Sequence, residues 1–89
     1  MITSIILINA KRDKIVELAE QLASMDGISE VYSVTGHYDL IAIVRVQTNE
    51  ELAELVTIQL AKVAGIEKTD TMLAFKAYSR HDLEAMFSI

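Results

Sequence analysis

The order of apolar patterns along the chain constrains its fold more than any other feature of the sequence. Apolar stretches rich in β-branched residues, typical of buried strands, occupy residues 2–8, 28–35, 38–46 and 66–78. Two stretches with the spacing of an amphipathic helix lie between the first and second strands and between the third and fourth. The predicted order of elements is therefore βαββαβ.

Both predicted helices have recognisable ends. The first begins near residues 11–13, and the second begins with Thr48 as N-cap, which forms a capping box with Glu51. Gly27 and Gly65 end the two helices, because glycine tolerates the left-handed conformation that follows a helix. The apolar faces comprise Ile15, Leu18, Ala19, Leu22 and Met25 in the first helix and Leu52, Leu55, Val56, Leu60 and Val63 in the second.

Right-handed crossovers turn this order into a ferredoxin-like α+β fold. We predict a four-stranded antiparallel sheet in the spatial order 4-1-3-2, with both helices on one face. A tight turn at Gly36-His37 joins the second and third strands as a hairpin. Residues 1–80 form this domain, and residues 81–89 form a tail or a short terminal helix.

Apolar side chains are predicted on both faces of the sheet. In the third strand Leu40 and Ala42 point to one face, and Ile41 and Ile43 point to the other. Two helices cover only one face of four strands, so the open face exposes apolar surface that favours association. We predict a symmetric dimer packed sheet to sheet. The alternative is that the apolar tail, residues 81–89, folds back over this face.

The composition fits a small domain that associates. The chain has 89 residues, of which 52% are hydrophobic, and it has no cysteine, which excludes disulfides and thiolate metal sites and fits the cytoplasm. Its net charge of −5 argues against direct nucleic-acid binding, since phosphate neutralisation needs a basic surface. Residues 2–8 are too short to span a membrane and lack a preceding basic region, so we expect neither a signal peptide nor a membrane anchor.

The segment 34–39, Val-Thr-Gly-His-Tyr-Asp, holds the main candidate ligand groups. Backbone N–H groups of a turn at Gly36 suit a carboxylate, and Asp39 suits an ammonium group. Together they match an amino-acid zwitterion. The alternative is an ordinary hairpin in which Gly36 supplies a positive φ and Asp39 caps the turn.

Other site chemistry finds little support in the sequence. His37 and His81 are too few for a metal centre, which needs about four ligands. The sequence contains no phosphate loop, dinucleotide fingerprint or paired catalytic carboxylates, so we expect no cofactor and no catalytic residue. Thr69 and Thr71 share one face of the fourth strand; packing is their simpler role, and at an open interface their hydroxyls are available to a ligand.

The chain resembles the effector-binding domain of the Lrp/AsnC, or feast/famine, transcription regulators over nearly its whole length. The resemblance rests on three features: the segments Gly27-Ile28 and Gly65-Ile66 that lead from each helix into the next strand, the element Thr35-Gly36-His37-Tyr38-Asp39, and the pair Thr69 and Thr71. It implies a ferredoxin-like fold called the RAM domain. It also implies sheet-to-sheet dimers, often joined as a ring of four dimers, that bind small effectors, usually amino acids, between dimers.

The resemblance implies a site at the hairpin tip. In it Asp39 faces the ammonium group of the effector, the turn backbone meets the carboxylate, and His37 tunes which side chain fits. Carried over by motif position, the site comprises Gly36, His37, Tyr38 and Asp39, with Thr69 and Thr71 nearby from the last strand.

One departure from the family is large, because typical members carry an N-terminal helix-turn-helix domain and here the first predicted strand starts at Ile2. We therefore expect a stand-alone sensing domain without direct DNA binding. What it regulates stays open between three roles: co-assembly with full-length regulators of the same family, buffering of an effector, and contact with an enzyme. Two other classes stay open: a dimeric α+β barrel enzyme, such as a small cofactor-less monooxygenase, and an assembly module without a ligand.

Overall fold

The computed structural model describes residues 1–78, so the predicted tail of residues 81–89 lies outside the described part. Its elements are β1 (Ile2–Ala10), a 3-10 turn (Arg12–Lys14), α1 (Ile15–Ala23), β2 (Ile28–Ser33), β3 (Leu40–Val46), α2 (Asn49–Glu54) continued by a π-helical turn (Leu55–Gln59) and a 3-10 turn (Leu60–Lys62), and β4 (Ile66–Leu73). No helix within residues 1–78 is both long and apolar enough to cross a bilayer.

The four strands form one antiparallel sheet in the order β2-β3-β1-β4, which confirms the predicted ferredoxin-like topology. β1 is central and pairs on both sides. Its Ile6 lies opposite Ala42 of β3 and Thr71 of β4, and its Leu7 lies opposite Ile41 and Asp70. Because paired residues share a face, Ile6, Ala42 and Thr71 lie on one side of the sheet. Leu7, Ile41 and Asp70 lie on the other side.

Both helices pack on the first of these faces. Alternate residues of β1 and β3 are buried there, whereas their neighbours on the other face are only half-buried. The buried apolar cluster joins this face to the helices and includes Ile6, Ile8, Leu40, Ala42 and Val44 of the sheet with Leu18, Leu22, Leu55 and Leu60 of the helical segments. The alternation predicted for β3 is therefore confirmed, and β1 shows the same pattern. The opposite face, called the open face below, has no helix over it within the described residues.

The glycines after the helices take the positive φ expected of them, but they do not end the helices. α1 ends at Ala23, and Gly27 (φ +92°) turns the chain into β2. A Cβ at Gly27 would lie 3.0 Å from the Val46 side chain, so close packing as well as φ requires glycine there. The helix-ending prediction is wrong in this detail, because the last helical turn is followed by an intervening bend.

α2 begins as predicted. The Thr48 hydroxyl accepts a hydrogen bond from the Glu51 amide at 3.1 Å, and the Glu51 carboxylate accepts one from the Gln47 amide at 3.4 Å. The helix then widens into a π-helical turn. This wider turn places Leu55 and Leu60, both buried, on the same side of the segment.

Four predicted strand limits are wrong, and the first is the end of β1, which lies at Ala10 and not at Ile8. β2 ends at Ser33 and β3 begins at Leu40. Residues 34–39 therefore form a loop and not a tight turn at Gly36-His37. β4 ends at Leu73, and not at residue 78, because its partner β1 starts at Ile2; the last ladder bond runs from the Ala74 amide to the Thr3 carbonyl at 2.9 Å.

Candidate functional site

The loop 34–39 is closed on itself and attached to β1. The Val34 amide donates to the Asp39 carbonyl at 3.0 Å and closes the loop, and the Asp39 amide donates to the Ile8 carbonyl of β1 at 2.9 Å. Gly36 (φ +109°) lies at the tip, where an added Cβ would meet no atom within 4 Å. The glycine is therefore required by backbone conformation and leaves its surroundings open.

The Asp39 side chain is turned towards β1. Its Oδ2 accepts a hydrogen bond from the Ala10 amide at 2.8 Å, at the point where a register shift interrupts the pairing of β1 with β4. Ala10 is buried, so its amide needs an acceptor, and the carboxylate supplies it. Asp39 thus anchors the loop to the centre of the sheet.

An open depression of about 660 Å³ lies beside the loop, a volume within the range of small-molecule sites. Its lining residues are Ser33, Val34, Thr35, His37, Tyr38 and Ile41. Two of the predicted site residues, His37 and Tyr38, line it directly, whereas Gly36 and Asp39 hold the loop that forms its edge. Ile41 lies on the open face of the sheet, so the floor of the depression belongs to that face.

Tyr38 makes a contact that sequence reasoning missed. Its hydroxyl donates a hydrogen bond to Oδ2 of Asp70 on β4, which lies on the open face opposite Leu7. This hydrogen bond is the main reason that the pKa of Tyr38 is raised, and desolvation and the negative charge of Asp70 add to the effect. No local signal marks Asp70, because it is separated from Tyr38 in sequence and the pair forms only when the sheet assembles.

Thr69 and Thr71 lie on the other side of β4 from Asp70. They are opposite Ile8 and Ile6, so they belong to the face that carries the helices, at the edge of the sheet. Thr69 is half-buried and Thr71 is exposed. Within residues 1–78 neither threonine lines the depression beside the loop.

Residues 1–78 contain no group of three or more His, Asp or Glu side chains placed to hold a metal ion. His37 is exposed, and His81 lies outside the described residues.

The fold and the loop match a known family of proteins. The family model of the Lrp/AsnC ligand binding domain matches residues 3–83. This chain belongs to the Lrp/AsnC family. The HTH-type transcriptional regulator FL11 of Pyrococcus abyssi is 36% identical over 73 residues, which are 82% of this chain and 48% of FL11. The chain thus spans about half the length of the curated Lrp/AsnC relatives it matches.

Solved structures carry the same Lrp/AsnC fold. The protein TTHA0845 from Thermus thermophilus superposes with a TM-score of 0.84 at 45% identity, over 90% of this chain and 100% of that chain. The transcriptional regulator NMB0573 of Neisseria meningitidis, crystallised as an L-Met complex, superposes with a TM-score of 0.75 over 97% of this chain and 59% of that chain. Its 12% identity makes it a likeness of fold alone.

The Tyr38–Asp70 bond of this Lrp/AsnC domain predicts a pH effect. Because the folded pKa of Tyr38 lies above its unfolded value of 10.0, its contribution to stability is complete below pH 10 and is lost as pH rises through the folded pKa. In Tyr38→Phe, the alkaline loss of stability is expected to be shallower, and one late step disappears from the tyrosinate absorbance titration. Tyr32→Phe is the matched control, because it removes the phenol bonded to Glu30 and leaves the Tyr38 step in place. If the step lost in Tyr38→Phe lies at the ordinary pKa of tyrosine, the raised pKa does not belong to Tyr38 and the prediction is wrong.

Proposed function

We propose that this Lrp/AsnC ligand-binding domain binds a small amino-acid effector at the loop 34–39 and serves transcriptional regulation as a sheet-packed assembly. The observation that carries the proposal is the open depression beside that loop, with His37 and Tyr38 in its wall. The chemistry is recognition of a zwitterion. The proposed site comprises Gly36, His37, Tyr38 and Asp39 in the loop, with Thr69 and Thr71 contributing from β4 where a further subunit adjoins that edge.

The groups around the depression suit both ends of an amino acid. Gly36, with its positive φ, lies at the loop tip, where the backbone amides of residues 35–38 make no hydrogen bond to any residue from 1 to 78 and so suit a carboxylate. Two carboxylates lie near the depression, that of Asp39 at the end of the loop and that of Asp70 beside Tyr38, and negative charge suits an ammonium group. The relatives named as transcriptional regulators support effector sensing over catalysis as the role of this domain.

The open face of the sheet supports the assembly. Its centre is formed by half-buried apolar side chains, namely Ile5, Leu7, Ile41 and Ile43. Polar groups lie beside this centre: Glu30 accepts a hydrogen bond from Tyr32 at 2.7 Å and pairs with Arg45 at 3.9 Å. An apolar centre with a polar rim is the usual construction of a protein interface, and a second copy of the sheet is its simplest complement.

Thermal unfolding in the presence of each of the twenty amino acids at millimolar concentration tests the proposal. A ligand that binds only the folded state at 100 times its Kd adds about 2.7 kcal/mol, which raises the midpoint of a domain of this size by about ten degrees or more. At least one amino acid is expected to do so. If none of the twenty raises the midpoint, the proposal is wrong.

A pair of variants connects the shift to the loop. In His37→Ala the shift is expected to shrink or to move to a different amino acid, because His37 lines the depression. Glu20→Gln on the exposed side of α1 is the control and keeps the wild-type ligand profile. Both positions are exposed, so the unfolding midpoint without ligand stays close to that of the wild type.

A further inference from the structure

We propose that Asp70 and Tyr38 act together to recognise the ammonium group of the effector. This inference rests on the proposed function and assigns its amine-recognition step to a residue outside the loop. Asp70 lies on β4 in the same row of the open face as Leu7 and Ile41, and Ile41 forms part of the depression. The Tyr38 side chain joins the depression to Asp70 through its hydrogen bond.

Asp39 is less suited to the same task. Neither carboxylate lines the depression itself, but Asp39 is half-buried and its Oδ2 accepts the amide of Ala10, whereas Asp70 is exposed and is joined to the depression by Tyr38. Drawing it towards a ligand would leave the buried Ala10 amide without its acceptor. Asp39 therefore positions the loop, and the charge that meets the ligand comes from elsewhere.

The direction of the Tyr38 hydrogen bond defines what its hydroxyl offers to a ligand. A phenol has one proton, and Tyr38 donates it to Asp70. The oxygen can then only accept further hydrogen bonds, so this wall of the depression favours a donor such as an ammonium group over a carboxylate. The carboxylate of the same effector is left to the backbone amides at Gly36.

The charge of Asp70 is available to such a donor. Asp70 is exposed, and within residues 1–78 no lysine or arginine nitrogen lies within 4.0 Å of its carboxylate. Its second oxygen makes no hydrogen bond to any described residue, whereas the first holds Tyr38. An ammonium group beside the Tyr38 hydroxyl would therefore gain a charged acceptor that is not paired with any cation among residues 1–78.

The test compares amino acids with analogues that lack only the α-ammonium group. The pairs are L-leucine with 4-methylpentanoate, L-methionine with 4-(methylsulfanyl)butanoate, and L-phenylalanine with 3-phenylpropanoate, titrated calorimetrically into the purified chain. For the wild type, the amino acid of at least one pair is expected to bind roughly ten- to a hundredfold more tightly than its analogue, as a charge-assisted hydrogen bond predicts. In Asp70→Asn this ratio is expected to collapse towards one, with the affinity for the analogue unchanged.

Two further variants sharpen the result. Tyr38→Phe removes the hydroxyl and is expected to lower the ratio as well, and Glu67→Gln is the control, because it removes one negative charge from the same exposed strand and keeps the ratio. If Asp70→Asn binds with the wild-type ratio, the inference is wrong while the proposed function stands. If the wild type binds no member of any pair, the inference is wrong, and the proposed function is decided separately by the screen of the twenty amino acids.

Discussion

An Asp39→Ala variant is expected to lose about 1–3 kcal/mol of unfolding free energy and, with it, effector binding. The alanine leaves the Ala10 amide without the carboxylate that it donates to at 2.8 Å, and an unsatisfied buried donor costs about that much. The loop 34–39 also loses one of its two attachments to β1. Chemical denaturation at pH 7 measures the stability, and the amino-acid screen measures the binding.

Asp39→Asn separates the anchoring role from a charge role. The amide oxygen can still accept from Ala10, so most of the stability is expected to return, and binding with it. If Asp39→Asn regains the stability but not the binding, the charge of Asp39 contacts the effector and its role is more than that of an anchor. If Asp39→Ala is as stable as the wild type, the hydrogen bond to Ala10 does not hold the loop.

An Ile43→Glu variant is expected to convert a sheet-packed dimer into a monomer of 9.9 kDa. Ile43 lies at the centre of the open face, in a row with Glu30, Ile5 and Met72. A symmetric dimer would bury the introduced charge twice, and at about 2 kcal/mol or more for each unpaired polar group the dimer weakens by about a thousandfold. Light scattering coupled to size-exclusion chromatography measures the mass.

Val16→Glu provides the matched control for this change. Val16 is 71% exposed on α1, away from the sheet, so the same introduction of charge leaves the mass of the assembly unchanged. Ile43 is only half-buried in the single chain, so the far-ultraviolet circular dichroism of Ile43→Glu is expected to keep the wild-type shape. A dimer that persists in Ile43→Glu shows that the open face is not the interface.

The topology of this chain was predictable because its signals are local. Apolar alternation in β1 and β3 defines both faces of the sheet, and the hydroxyl of Thr48 caps α2 as its position indicates. Each of these features depends on residues that are close in sequence. The candidate site at residues 34–39 stays a prediction, and the family itself is confirmed by the match over residues 3–83.

The limits of the hairpin and the residues beside it were not predictable in the same way. Val34, Thr35 and Tyr38 have strand-forming side chains, so their pattern indicates longer strands than the structure has. The hydrogen bond from Ala10 to Asp39 and the contact between Tyr38 and Asp70 both join distant parts of the sequence. Such tertiary contacts override local propensity and leave no mark in a single sequence.

The loop 34–39 assigns different tasks to different residues. Asp39 and Gly36 determine its path, through the bond to Ala10 and through a positive φ. The side chains of Thr35 and His37 are exposed, line the depression and make no hydrogen bond to any residue from 1 to 78. Point substitutions at these two positions can therefore reshape the wall of the depression without weakening the sheet, which under the proposed function gives the domain a route to new effector preferences that its folding does not oppose.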